Sequence, residues 1–414
     1  MSFPVPPGRG RWRLTLHRRQ FTDATLQSTL IAELPAARSR RLEQTLNGSA
    51  TLTFTLDGRS AEAALIAELA TDVVAWRWDE IGGHDKPYFR GIVAQSQDTL
   101  SEQSHVVTFT CHDYLAMLAR RYVTGTLAYT NTDQDTIARG LIAVAVTARS
   151  TPSPGYPTGV PLSPGSYLPL RSLLAAEDGQ PRDRTYEGST EILTAFDQLA
   201  HVIAGFDYDV VPAGRFNATT TPYDTLRIFY PSQGVARAEP VLEYGGRIAS
   251  LTRSTNSANF ANFERVLGNN GDTTPGAPQL YSEQWNPADL DVTGPGAVGL
   301  WMDAQNGADV SIQSTLDDQA HGALDLMGVL EPSYSLALTP DTYTDRAFNM
   351  GDTVPVVVQS GRLDVTTTQR IVGMSFEMTD DGAENVGLTV GRSLTSLADL
   401  LTETARDVNA LARR

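Results

Sequence analysis

The chain has 414 residues, of which 32 are basic and 48 acidic, for a formal net charge of −16. At roughly 100–200 residues per domain the length allows two to four domains, and the acidity excludes a generally basic nucleic-acid binder. The 34 Gly and 23 Pro fall short of a low-complexity composition, no apolar run approaches the ~20 residues of a membrane span, and the single cysteine, Cys111, excludes an intramolecular disulfide framework and a multi-cysteine metal site.

The opening stretch MSFPVPPGRGRWRL has no apolar segment of the signal-peptide kind, so synthesis in the cytoplasm is expected. Lys86 is the only lysine, which leaves 31 of the 32 basic residues as arginine and points to a GC-rich genome. Residues 1–12 read as an N-terminal arm. From Arg13 the pattern turns to strands: Leu52, Phe54 and Leu56 alternate with Thr51, Thr53 and Thr55. Ser60 to Ala70 reads as a short helix capped by Ser60. The strands DVVAWRW, YFRGIVAQ and HVVTFTC follow, then the helix-like DYLAMLARR with Asp113 as its natural cap. Cys111, alternating with threonines, reads as a buried small apolar residue. Residues 13–112 therefore form a mainly antiparallel β-unit.

Residues 113–245 change character. TDQDTIARGLIAVAV predicts a helix, Ser150–Leu170 a long loop, and Ile192, Phe196, Leu199 and Ile203 an amphipathic helix capped by Ser189. FDYDVV and LRIFY complete a helix–hairpin unit, with Asp207 and Asp209 expected to face solvent. Residues 246–265 return to a β pattern and 266–319 are loop-rich. The helix DDQAHGALDLMGVL then precedes the strands YSLALT, DTVPVVV, RIVGMSFEM and ENVGLTV, which with 246–265 make a second β-unit over 320–391. Residues 392–414 read as an amphipathic helix, with Leu394, Leu397, Leu401, Thr404, Val408 and Leu411 in a heptad register.

The two β-units echo each other at an offset of 280 residues: Asp72, Val74, Trp76 and Trp78 match Asp352, Val354, Val356 and Val358, and Arg90 matches Arg370. Two similar units in one chain can occupy successive positions of a ring, so that a trimer presents pseudo-sixfold symmetry.

Catalytic chemistry is sparse. The six histidines (His17, His84, His105, His112, His201 and His321) form no metal-binding motif, and His84-Asp85 and His112-Asp113 are weak candidates for a dyad. No nucleophile elbow, phosphate loop or calcium-loop spacing is present. No residue is nominated as catalytic, cofactor-binding or metal-ligating, and no cofactor is expected. The short groups Arg18-Arg19, Arg38-Arg40-Arg41 and Arg120-Arg121 read as solvated faces or intersubunit salt bridges.

The phrase FRGIVAQSQDTLSEQSHVVTFTCHDYLAMLARRYV, the helix–hairpin insertion, and the return FNMGDTVPVVV…QRIVGMSFEMTDDGAENVGLTVG follow in an order that resembles the baseplate or tail-tip hub proteins of tailed bacteriophages. The likeness is strongest to the minor tail proteins of actinobacterial siphophages, and GDTVPV followed by Arg370-Ile371-Val372-Gly373 is its most telling segment. The resemblance implies an α+β, predominantly β fold with two tube-like antiparallel β-barrel domains and α/β insertions. It implies a homotrimer at the virion tail tip that adapts the sixfold tube to the threefold tip. The implied partners are the distal tail protein, the tape-measure protein and other tip proteins, with phage DNA passing through unbound. No catalytic residues carry over. Two other readings are a carbohydrate- or receptor-binding tail protein, motivated by Tyr156, Tyr167, Trp285 and Trp301, and a cell-wall hydrolase.

Overall fold

A computed structural model describes residues 10–22, 25–80, 82–123, 125–146, 168, 170–172, 181–200, 205–213, 223–255, 257, 260–268, 279–285, 298–306, 313–328, 332–340, 342–344 and 347–391. The C-terminal helix expected over 392–414, almost all of the loop expected at 150–170, Tyr156 and Tyr167 lie outside these residues. So do residues 1–9 of the expected arm. The chain forms two compact units, a larger one built from Met1–Arg182, Tyr186–Leu251 and Ser335–Val390, and a smaller one centred on Thr252–Tyr334.

In the larger unit the first β-unit comprises β1 (Trp12–Thr22), β2 (Thr25–Glu33), β3 (Arg38–Thr45), β4 (Thr51–Asp57), the single-turn α1 (Ala61–Ala64), β5 (Thr71–Asp79), β6 (His84–Leu100) and β7 (His105–His112). Alternation decides these strands. Leu52, Phe54 and Leu56 of β4 stand opposite Cys111, Phe109 and Val107 of β7, all buried, and the Phe54 and Phe109 rings stack at 5.3 Å. Each such side chain contributes about 1.5–3 kcal/mol on burial. Ser60 does cap α1, accepting from the Ala63 N–H at 3.1 Å, but the helix stops at Ala64 rather than Ala70. Four residues suffice because none of them is buried, so no packed face extends the turn.

The insertion follows with β8 (Leu127–Asp133), α2 (Gln134–Val146), β9 (Leu170–Ser172), β10 (Pro181–Tyr186), α3 (Ile192–Ala200), β11 (Asp207–Val211), β12 (Asp224–Phe229), β13 (Leu242–Glu243) and β14 (Ile248–Ser254). Tyr114, Leu118, Ile137, Leu141, Phe196, Leu199, Tyr208 and Leu226 share its core. Ser189 is not the cap of α3. It sits at φ 76° and gives its N–H to Val123 O, and the first helical carbonyl is that of Glu191, which accepts from Ala195.

The smaller unit contributes β15 (Phe263–Leu267), β16 (Tyr281–Trp285), β17 (Met302–Asn306) and α4 (Gln313–Met327). The stretch that reads as loop-rich thus carries two short strands on either side of β15. The chain then completes the larger unit with β18 (Ser333–Leu338), β19 (Thr353–Ser360), β20 (Leu363–Met378) and β21 (Glu384–Val390).

The main sheet runs β14-β18-β21-β20-β3-β4-β7-β6-β5-β1-β2, with β19 on β20 and β13 on β19. The sequence echo is visible in it, since β4-β7-β6-β5 and β18-β21-β20-β19 repeat one neighbour order. Each long strand pairs one partner along its first half and another along its second, with a register shift at Val93/Gln95 in β6 and at Ile371/Gly373 in β20. The arginine match fails by one residue. Arg90 stands opposite Val74, whereas Arg370 stands opposite Thr353, one residue before the echoed Val354, so the two side chains take opposite faces. β20 also pairs β3, which joins the two β-units edge to edge. Among the described residues no pairing closes either unit into a barrel of its own.

Candidate assembly interface and buried charge clusters

The two His-Asp pairs of the sequence have structural settings. Asp85 lies 3.2 Å from an Arg13 guanidinium nitrogen, while His84 is exposed at the start of β6. His112 Nδ1 lies 3.2 Å from Thr51 Oγ1. Asp113 accepts from the Leu115 N–H, the Ala50 N–H and the Ser49 hydroxyl, and so caps the 3₁₀ turn Tyr114–Arg120. Burial raises its carboxyl to about 6 against those hydrogen bonds. Cys111 is buried and its thiol is pushed far up. Among the described residues no three His, Cys, Asp or Glu gather as metal ligands.

Buried charge instead concentrates where the insertion meets the two β-units. Arg90, 1% exposed, donates to Asp72 at 3.0 Å and to Asp224 of β12 at 3.3 Å. Arg19 Nε lies 2.6 Å from the other Asp72 oxygen, and the Tyr114 hydroxyl also donates to Asp72. Burial pushes the Asp224 carboxyl up while Arg90 pulls it down. His17, nearby in β1, is lowered to about 4 by burial and then by the Arg90 charge.

Arg370 closes a second clasp. It donates to Asp207 of β11 and, at 3.1 Å, to Gly351 O. Asp207 also accepts from the Asn47 side chain at 2.8 Å and the Gln233 N–H at 2.6 Å. Asp207 is therefore buried and engaged rather than solvent-facing. Arg237 reaches Asp352 at 2.9 Å. A third cluster ties β21 to the first β-unit, where Glu384 accepts from Arg77 at 2.7 and 3.0 Å, Trp12 Nε1 at 2.7 Å and Arg11 at 3.1 Å. These donors hold the Glu384 carboxyl below its ordinary value despite burial. Sequence spacing gives no signal for such partners, which lie 134 and 163 residues apart for Arg90–Asp224 and Arg370–Asp207.

Among the described residues the main sheet's strand path ends at β14 and at β2, its side branch ends at β13, and the second half of β6 is bare on one side. Beyond Ile92 the β5 side of β6 has no strand partner among the described residues, and Gln95, Gln97, Asp98, Thr99 and Leu100 are exposed. β14 ends the sheet, with Ala249, Ser250, Thr252, Arg253 and Ser254 exposed. In β20 the half corresponding to that bare part of β6 is the one that pairs with β3. Open edges of this kind template further strand pairing. In the smaller unit Trp285 (57% exposed), Met302 (62%) and Phe263 share one row of the sheet, with Trp301 (46%) beside Met302 in the chain.

No protein family model matches the chain, and no curated protein matches it. Solved structures do. A tail protein from Neisseria meningitidis MC58 aligns at TM-score 0.54 and 12% identity, over 92% of this chain and 97% of that one. The 43 kDa tail protein of prophage MuSo2 from Shewanella oneidensis aligns at TM-score 0.56 and 12% identity, over 92% of this chain and 98% of that one. At this identity the likeness is one of fold, and it extends over nearly the whole chain: the architecture is predominantly β and is the one these two tail proteins adopt.

Proposed function

We propose that the chain is a structural component of a phage tail tip, a homotrimeric hub that adapts the sixfold tail tube to the threefold tip and lets DNA pass, with no catalytic step of its own. The observation that carries this reading is the β20–β3 junction, which joins two echoing β-units inside one chain and leaves the corresponding edges, β6 and β14, open. Three chains that repeat the junction, with β6 of one protomer against β14 of the next, bring six units into a closed ring. Barrel character then belongs to the assembly. It satisfies the backbone N–H and C=O groups that the isolated edges expose.

In this reading 13–112 and 246–265 plus 320–391 are the tube-like units, 113–245 is the α/β insertion, 266–319 the second insertion, and 1–12 and 392–414 are terminal segments. The distal tail protein, the tape-measure protein and other tip proteins are the outer partners, and a net charge of −16 disfavours retention of DNA phosphates in transit. Electron microscopy of tails from the parent phage tests the proposal: three copies at the tip support it, and any other copy number sinks it. The exposed Trp285 and Trp301 favour a second reading, glycan or receptor binding by the smaller unit. Failure of the purified chain to bind host cell-wall glycan counts against it.

A further inference from the structure

The β20–β3 junction has a defined direction and register. It is antiparallel, with Gly373 opposite Thr45, Ser375 opposite Glu43, Phe376 opposite Leu42 and Met378 opposite Arg40. The repeated strand order carries this register over to the open edges. β6 slips once against β7, at Val93/Gln95, and β20 slips once against β21, at Ile371/Gly373. Matching the two slips makes Gln95–Leu100 the counterpart of Gly373–Met378. Gln97 then holds the place of Ser375, and Asp98 that of Phe376.

β14 is the counterpart of β3, because each lies beside the matching strand of its unit, β18 and β4. β4 buries the alternating apolar side chains Leu52, Phe54 and Leu56, and β18 buries Tyr334, Leu336 and Leu338, so the two strands match one to one. In the first unit Leu42 stands opposite Leu52. In the second the Thr339 N–H donates to Arg247 O at 2.9 Å. β14 follows Arg247 and β18 precedes Thr339, so this bond continues into a ladder only if the strands are antiparallel. Counting along that ladder puts Ile248 opposite Leu338, both buried, and Thr252 opposite Tyr334. Thr252 therefore holds the place of Leu42, and Arg253 that of Glu43.

We propose that β6 of one protomer lies antiparallel to β14 of the next, with Gln97 opposite Arg253, Asp98 opposite Thr252, Thr99 opposite Leu251 and Leu100 opposite Ser250. This rests on the trimeric reading and adds to it a direction and a register. Gln97–Leu100 on one edge and Ser250, Thr252 and Arg253 on the other are exposed, so the backbone groups between them are open to pairing. The charges suit a second copy as the occupant: the β6 end brings Asp98 and, just past it, Glu102, while β14 brings Arg253 and, just before it, Arg247. A slip of one residue exchanges the two faces of the strand, which is why one register is specified.

Disulfide trapping in the full chain tests the register. Two double variants place cysteines opposite each other, Gln97→Cys with Arg253→Cys and Thr99→Cys with Leu251→Cys. A third, Gln97→Cys with Ala249→Cys, is out of register. Opposed antiparallel residues stand about 4.5–5.5 Å apart at Cα, within disulfide reach, and the third pair lies beyond it. The native Cys111 is buried and does not compete. On mild oxidation, either in-register variant is expected to run mostly as covalent dimers and trimers on a non-reducing gel, and the third as monomer. Circular dichroism shows that each variant is folded, and two pairs along one seam keep the test valid if one of them folds poorly. Light scattering of the reduced variants separates this inference from the reading beneath it. A trimer in which neither in-register pair crosslinks, or in which the third pair does, overturns the register and leaves the trimer standing. A monomer overturns both.

Discussion

The two β-units repeat one strand order but hold the insertion hairpin in different ways. From the first unit Arg90 reaches Asp224 with both side chains fully buried; from the second Arg370 reaches Asp207 with the arginine side chain 33% exposed. A one-residue difference in pairing register accounts for the contrast, because it places the two arginines on opposite faces of their strands. The lesson is that a duplicated topology fixes where a clasp sits, while local register fixes how much desolvation the clasp must offset. Water competes for Arg370 and screens its charge. Asp72, Asp224 and the Tyr114 ring, 5.1 Å from the guanidinium, compensate Arg90 within the protein.

The largest effect is expected at the buried clasp. Arg90→Met leaves Asp224 and half of Asp72 uncompensated and should cost about 3–5 kcal/mol in chemical denaturation. Adding Asp224→Asn should recover part of that loss in a double-mutant cycle, and additivity would break the comparison. Next comes Glu384→Gln, which leaves Arg77 and Arg11 facing a neutral amide, at about 3 kcal/mol. Because the folded carboxyl is held below its ordinary value, its contribution is present above the unfolded pKa and is lost as pH falls through the folded one. The variant should therefore unfold in acid with a shallower pH dependence. Arg370→Met should cost less, about 1.5 kcal/mol, since its bonds are charge-assisted but wet. If it matches Arg90→Met, exposure does not distinguish the clasps.

The smallest effect is a slope. His17 is lowered from 6.5 to about 4, so the folded protein keeps it neutral. Its contribution is full above 6.5 and declines as pH falls towards 4, and His17→Gln should flatten the stability profile in that window. Unchanged curvature would mean that another group carries the titration.

The strands were legible because half-buried β-structure writes a period of two, as at Leu52, Phe54 and Leu56 or Val354, Val356 and Val358. The cap of α3 was not, because Ser189 has the right chemistry but is committed to Val123 by a tertiary hydrogen bond. β16 and β17 escaped because they are five residues long and sit among Gly and Pro. The clasps escaped for a different reason: an aspartate on a hairpin reads as solvent-facing until the arginine opposite it is placed. The 280-residue echo of the two β-units was legible, but their junction was not, since β20 and β3 lie far apart in sequence.

The proposed trimer pairs β6 of one protomer with β14 of the next. Light scattering of the purified chain, beside Gln97→Pro and Ser250→Pro, tests it most directly. A mass of three 44.8 kDa chains is expected for the native protein, and folded monomers with unchanged circular dichroism for both variants. A native monomer, or a trimer that survives both prolines, would contradict it.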